Sequence, residues 1–379
     1  MPKLTPESWM ARALTLARRG LYTTDPNPRV GCVLVKNRRL VGEGFHVRAG
    51  EPHAEIHALR AAGDDASGAT AYVTLEPCSH QGRTGPCARA LIEAGVKKVV
   101  AAMQDPNPQV GGRGFAMLRE AGVEVECGLL EKEARALNPG FIARMSRGRP
   151  YVRLKMAMSL DGRTAMRSGE SQWITGPSAR TEVQRLRARS SAVISGVESI
   201  IFDNSRLTVR AEQLQLEDAK AIARRQPLRV VVDSRLRLPL AAACLREPGR
   251  TLVATCSREG KRRQRLEAAG AEVLVLRSGD EGRVDLDALL AYLAGEEQVN
   301  EVLLETGATL AGAMLDAGLV DEIQLFMAPT LLGGNARPLF ALPGLERMAQ
   351  QRPLDIDDIR AIGRDWRIIA RPAAISRKP

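Results

Sequence analysis

The chain has 379 residues, 44% of them hydrophobic and 26% charged, with 34 Gly and 21 Pro spread along its length. That balance excludes disorder, collagen and a disulfide scaffold, and at about 150 residues per domain the length suggests two domains. The net charge of +11 is diffuse, +4 over residues 1–145 and +7 over the rest, and only 3% of residues are aromatic, so a phosphorylated small substrate suits it better than bases stacked along a groove.

At the N-terminus Thr5-Pro6-Glu7 reads as an N-cap, a first-turn proline and a first-turn acid opening an amphipathic helix that carries Arg12, Arg18 and Arg19, not as a secretory leader. No run approaches the roughly 18 to 20 apolar residues of a membrane span. A cytoplasmic protein with no membrane partner is expected, and in a reducing compartment its six cysteines point to metal binding or inert core thiols. From Gly31 the pattern alternates. Strands are predicted over 31–35 and 40–45, a helix over 54–62, a strand over 71–75, a helix over 88–94, a strand over 97–102, a helix over 115–121 and a strand over 123–127. This is an α/β layered domain assigned to residues 1–145, and the basic stretch Arg144 to Pro150 reads as a junction. A second α/β domain, 150–379, follows. Its strands are predicted over 152–156, 192–194, 228–233, 251–255, 272–276, 301–305 and 322–327, with helices over 178–189, 286–293 and 309–317.

The strongest chemical signal is His53-Ala54-Glu55 followed by Pro77-Cys78 and then Cys87. A histidine at a helix start, a cysteine just past a strand and a cysteine at the next helix start can converge at one sheet edge. Two thiolates and an imidazole fill three tetrahedral zinc positions and leave the fourth for water, the arrangement of a catalytic site. Glu55 is placed to carry protons as a carboxylate that is not a ligand, a pattern known for zinc nucleobase deaminases. A closed structural site with His57 or His80 as fourth ligand explains the same ligands, but leaves Glu55 without a role. In the second domain Glu305-Thr306-Gly307-Ala308 follows a strand and opens a helix, which reads either as a phosphate cradle or as a tight turn of a common kind.

The combination Pro26-Asn27-Pro28-Arg29-Val30-Gly31, His53-Ala54-Glu55 and Glu76-Pro77-Cys78-Ser79-His80 through Cys87 resembles the deaminase half of the bifunctional deaminase/reductase family of riboflavin biosynthesis. The motifs Lys155 to Arg163, Ser171-Gln172-Trp173, Leu207-Thr208-Val209-Arg210, Val232-Asp233-Ser234 and the Glu305 turn resemble its reductase half in the usual order. The resemblance implies a cytidine-deaminase-like domain joined to a dihydrofolate-reductase-like domain. It implies zinc-dependent removal of an amino group from a diaminopyrimidinone bearing a phosphorylated ribose, then NADPH-dependent reduction of the ribosyl chain. It further implies that His53, Cys78 and Cys87 hold zinc, that Glu55 shuttles the proton, and that Asn27, His46, His80 and Arg83 contact that substrate. In the reductase half, Ala157, Trp173, Ser199, Asp203, Ser234 and Gly307 would line NADPH, and Ser171, Arg187, Leu207, Arg210 and Glu305 the ribosyl phosphate. Lys155 and Glu305, ionisable groups at strand ends, are candidates for protonating the opening sugar.

Two departures from the family pattern fall on the cofactor loops. Asp203-Asn204-Ser205 stands where Asp-Asp-Pro is usual, and Glu305-Thr306-Gly307 where Glu-Gly-Gly is frequent. Two other readings compete: a nucleic-acid-editing deaminase, disfavoured by the scarce aromatics and the lack of a basic stripe, and a folate-type reductase with a structural zinc module. A homo-oligomer, dimer or tetramer, is expected.

Overall fold

A computed structural model describes residues 5–79 and 85–373, and the chain divides into two compact units between Arg149 and Pro150. In the first, β1 (Gly31–Lys36), β2 (Arg39–Phe45), β3 (Thr70–Val73), β4 (Lys98–Ala101) and β5 (Glu124–Cys127) form one sheet in the order β2-β1-β3-β4-β5. β1 runs antiparallel to β2 and β3, while β3, β4 and β5 are parallel. Alternation along β1 explains the layering. Val33 and Val35 pack with Trp9, Met10 and Leu14 of the helix Pro6–Arg18 on one face. Cys32 and Leu34 pack with Ala54, Ala58 and Leu91 on the other. The N-terminal helix is capped as the sequence suggests, Thr5 accepting from the Ser8 N–H.

Two glycines of β2 fix the height of the helix Ala54–Ala62 above the sheet. A Cβ at Gly42 would stand 2.2 Å from the Ala58 carbonyl oxygen, and one at Gly44 would stand 2.4 Å from the His57 Cβ. Only hydrogen fits there, so the helix bearing Glu55 lies directly against the strand. The stretch read as a junction is helical as far as Arg147: the helix Pro139–Arg147 ends on Gly148 in the left-handed region, a C-cap that the basic composition concealed.

The second unit is built on β6 (Tyr151–Ser159), β7 (Arg163–Ala165), β8 (Ala192–Gly196), β9 (Leu228–Val232), β10 (Thr251–Thr255), β11 (Glu272–Val275), β12 (Glu301–Glu305), β13 (Glu322–Ala328), β14 (Arg337–Pro338), β15 (Leu354–Ile362) and β16 (Asp365–Pro372). Nine of these make a sheet in the order β11-β10-β9-β8-β12-β6-β13-β16-β15, and β7 pairs with β14 apart from it. The strands from β11 to β13 are parallel, and the β15–β16 hairpin adds an antiparallel edge. As expected of a parallel sheet covered on both faces, Val230, Ile194, Leu304 and Leu154 point into one apolar layer, Val231, Val193, Leu303 and Phe326 into the other. The hairpin escaped the sequence reading because β15, Leu-Asp-Ile-Asp-Asp-Ile-Arg-Ala-Ile, is mostly exposed and rich in aspartate, which disfavours strands. Its position depends on β13, more than thirty residues earlier.

Candidate active sites

In the first unit His53 is the N-cap of the helix Ala54–Ala62, Cys78 follows β3, and Cys87 opens the helix Cys87–Glu93. The His53 Nδ1 lies 3.6 Å from the Cys78 Sγ and 3.3 Å from the Cys87 Sγ, and the three ligand atoms all fall within 4.8 Å of one another. Zinc bonds of ordinary length at a tetrahedral angle separate sulfur and nitrogen by about 3.6 Å, so the donor set fits this ion in both chemistry and spacing. Among the described residues this is the one such cluster, and His57 is not in it. His80 and Arg83 lie outside the described residues.

The three donors are close enough to shift one another's protonation. The Cys78 thiol is pushed down to about 4, first by the Cys87 thiol donating to it and then by His53 and the Cys87 N–H. The same contact, with burial, pushes Cys87 up, and the Cys78 sulfur holds the His53 imidazole above its ordinary value. Glu55 is 3% exposed, and burial together with the charge on Cys78 lifts it to about 7. Its Oε2 is buried without a hydrogen-bond partner. Beside the cluster, the His46 Nδ1 lies 3.1 Å from the Pro52 carbonyl oxygen and its Nε2 lies 3.1 Å from the Asn27 Nδ2. A neutral ring protonated on Nδ1 satisfies both contacts, in accord with the burial that lowers this imidazole. Its ring meets that of His53 edge to face at 5.2 Å. The structure therefore gathers Asn27, His46, His53, Glu55, Cys78 and Cys87 around one point.

In the second unit a cleft of about 1610 Å³ opens at the carboxyl ends of the parallel strands. All twelve residues singled out in this half line it: Lys155, Ala157, Ser171, Trp173, Arg187, Ser199, Asp203, Leu207, Arg210, Ser234, Glu305 and Gly307. Lys155 and Glu305 are register partners on β6 and β12, so strand pairing alone sets them side by side. Arg187, on the helix Pro177–Arg189, grips the Glu305 carboxylate with two bonds of 2.6 and 2.9 Å and donates to the Thr208 carbonyl oxygen at 3.0 Å. Burial works to raise Glu305, but this guanidinium overrides it and holds the carboxyl below its ordinary value. Burial lowers the Lys155 ammonium, against the pull of Glu305. Arg210 is lowered by burial and by neighbouring Arg187, and its Nε is buried without a hydrogen-bond partner. Ser171 donates to the Asp203 carboxylate at 2.9 Å, and Trp173, 68% exposed, stacks under the Arg180 guanidinium. Leu207 is 2% exposed with φ +57°, so any contact it makes with a ligand is through its backbone.

Both departures have a local explanation. Asn204 adopts the left-handed region at the end of the helix Val197–Asp203, a conformation that asparagine tolerates, and its side chain accepts from the Ala243 N–H at 2.9 Å. The Thr306 hydroxyl accepts from the Gly196 N–H at 3.1 Å, and the Ser199 hydroxyl from the Gly307 N–H at 3.1 Å. Each turn thus satisfies an amide of the other, and the threonine ties together the two strand-to-helix turns that edge the cleft. Sequence reasoning also missed Asp365. This wholly buried carboxylate accepts from the Gly176 N–H at 2.6 Å and so caps the helix that carries Arg187. Nothing local signals it, because the two residues are 189 positions apart.

Fold and sites together define a class: a zinc deaminase unit and a cofactor-dependent reductase unit in one polypeptide. Residues 4–103 match the profile of the cytidine and deoxycytidylate deaminase zinc-binding region, and residues 150–368 match that of the RibD C-terminal domain. The chain is 51% identical over 363 residues to the riboflavin biosynthesis protein RibD of Escherichia coli strain K12, an alignment covering 95% of this chain and 97% of the relative. It is 48% identical to that of Haemophilus influenzae, with 97% of each chain covered. Among solved structures, Acinetobacter baumannii RibD superposes with a TM-score of 0.90 at 50% identity, covering 97% of this chain and 98% of that one. The diaminohydroxyphosphoribosylaminopyrimidine deaminase/5-amino-6-(5-phosphoribosylamino)uracil reductase of Thermotoga maritima does so with a TM-score of 0.83 at 33% identity, with the same coverage. The chain belongs to the RibD family of bifunctional riboflavin-biosynthesis enzymes, with a cytidine-deaminase-like domain that uses zinc and a reductase domain of the NADPH-dependent kind.

Proposed function

We propose that the chain carries out two consecutive reactions on one substrate, a diaminopyrimidinone bearing a phosphorylated ribose: hydrolytic deamination of the ring, then reduction of the ribosyl chain to ribityl. One observation carries the reading. Each site holds a buried polar atom without a partner, Glu55 Oε2 beside the zinc ligands and Arg210 Nε beside the Arg187–Glu305 pair, where a substrate would complete it.

In the first site His53, Cys78 and Cys87 would hold the ion, which when bound acidifies a water at neutral pH. Glu55 would take a proton from the attacking water and return one to the departing amino nitrogen, as the exocyclic C–N bond breaks, a C–O bond forms at the same ring carbon, and ammonia leaves. Its buried Oε2, with no other partner, is free to take and to give that proton. Asn27 would present its amide to the ring, with His46 holding it.

In the second site Ala157, Trp173, Ser199, Asp203, Ser234 and Gly307 would bind NADPH, which supplies a hydride to the ribose C1′. The C1′–O4′ bond breaks and Lys155 delivers the proton to O4′. Glu305, kept ionised by Arg187, serves that lysine as counter-ion and is the weaker acid candidate of the two. Arg210 and Arg187 would face the phosphate, with Ser171 and the Leu207 backbone beside them. Removing Arg210 as Ala should raise KM for the phosphorylated substrate by about 10- to 150-fold, the worth of about 1.5–3 kcal/mol for a charged hydrogen bond, and leave KM for NADPH unchanged. Steady-state kinetics with each substrate varied in turn checks it.

The decisive test is NADPH consumption by the purified protein supplied with the diaminopyrimidinone ribosyl phosphate, before and after chelation. Consumption that stops on chelation and resumes with the deaminated intermediate supports both sites and their order. Consumption indifferent to the chelator, or absent with both substrates, overturns the reading.

The protein is further proposed to work in the cytoplasm as a homo-oligomer, without nucleic acid or membrane. Among the described residues no helix is long and apolar enough to cross a membrane. On the β15–β16 hairpin, Ile356 and Ile359 of β15 and Trp366 of β16 are exposed, and apolar side chains gathered on one hairpin suit contact with a second copy of the chain. Ile359→Lys should shift the mass measured by light scattering towards the monomer.

A further inference from the structure

Glu76 immediately precedes the Pro77–Cys78 pair, and its side chain is buried, with the residue 5% exposed. Its carboxylate accepts four backbone hydrogen bonds from one distant segment. Oε2 receives the N–H of Asp105 at 3.1 Å and of Gly112 at 2.9 Å, and Oε1 receives that of Gly114 at 2.9 Å and of Phe115 at 3.3 Å. The Glu76 N–H in turn donates to the Met103 carbonyl oxygen at 2.9 Å. The donors bracket residues 105–112 and include the first turn of the helix Arg113–Glu120, whose N-cap Gly112 has no side chain to cap with. A carboxylate at that position meets both the unpaired amides and the positive end of the helix. Approach is as close as chemistry allows, since a Cβ at Gly114 would stand 2.0 Å from the Pro77 carbonyl oxygen. On the other side, Asp105 and Val110 wall a small cavity together with Pro77, Cys78 and Ser79.

We propose that Glu76 is a positioning residue of the deaminase site: by latching the segment 105–115 onto the turn that carries Cys78, it holds that thiolate at the metal and makes the segment a wall of the small cavity beside Cys78. The inference rests on the deaminase reading above. A carboxylate is needed because it only accepts. Glutamine offers one acceptor oxygen and one NH₂, which would confront two N–H donors and break at least half of the latch. A carboxylate on a shorter stem keeps the charge but loses reach.

The experiment compares the wild-type chain with Glu76→Gln and Glu76→Asp as full-length proteins. Three quantities are measured: zinc retention against a chelator, deaminase KM and kcat, and NADPH oxidation with the deaminated intermediate. In Glu76→Gln zinc should be lost at a chelator concentration lower by about tenfold or more. KM for the diaminopyrimidinone should rise, the reductase rate should hold, and Glu76→Asp should fall between the two. A lowered Tm with zinc retention and KM unchanged overturns the proposal and leaves Glu76 a helix cap. Amide hydrogen exchange in the wild-type protein tests the latch without any variant. The amides of Asp105, Gly112, Gly114 and Phe115 should exchange slowly, with and without zinc. Fast exchange in the zinc-loaded protein overturns the latch. Failure of the wild type to release ammonia refutes the deaminase reading instead, and leaves zinc retention and exchange to report on Glu76.

Discussion

Glu55→Gln is expected to lower the rate of ammonia release by about 10²- to 10⁴-fold, the usual worth of a general acid–base group, while zinc content and NADPH oxidation with the deaminated intermediate stay as in the wild type. Glutamine keeps the volume and the buried position of a side chain that is 3% exposed, so packing against β2 survives. What disappears is the exchangeable proton at an oxygen that has no other partner. A carboxyl can take up and release a proton, and an amide can do neither. Ammonia assay and metal analysis on the same preparation check it, and a variant that deaminates at the wild-type rate refutes the role of Glu55.

Lys155→Met should cost the reductase about 10²- to 10⁴-fold in kcat and leave the deaminase untouched. Methionine keeps the unbranched shape of lysine with one atom fewer and removes the charge between Glu305 and the cleft. The pH profile adds an independent check. Lys155 must be protonated to act as an acid, so kcat is full below its pKa and falls as pH rises through it; burial places that fall below the ordinary lysine value of 10.5. The alkaline limb should vanish in the methionine variant. Glu305→Gln removes one partner of a buried ion pair and releases Arg187, so the whole reductase site should loosen, raising KM for the ribosyl phosphate as well as lowering kcat. Wild-type reductase rates in both variants would end the assignment.

These expectations draw unequally on the sequence. The cluster of His53, Cys78 and Cys87 was legible because each sits beside the end of an element with a clear period. His53 precedes an amphipathic helix and Cys78 follows a buried strand, and a sheet brings such ends to one edge. Glu305 was legible as a strand-end residue, whereas Lys155, expected at the end of a strand over 152–156, lies in the middle of β6 because that strand runs on to Ser159; their adjacency depends on β6 and β12 being neighbours in register across 150 residues of chain. Thr306 read as a departure from a glycine-rich turn, whereas folding makes it a tie to Gly196.

The sequence by itself determined the α/β class, the two halves, the gathering of His53, Cys78 and Cys87 and the order of the reductase motifs, because apolar periodicity and local spacing record which face of an element is buried. Only the tertiary structure decided which charge meets which. Arg187 closes on Glu305 across 118 residues, Asp365 caps the helix of Arg187 across 189, and Glu76 holds the amides of a segment about thirty residues away. In each case the partner is a buried polar group whose desolvation must be met by another, and topology alone selects the one within reach.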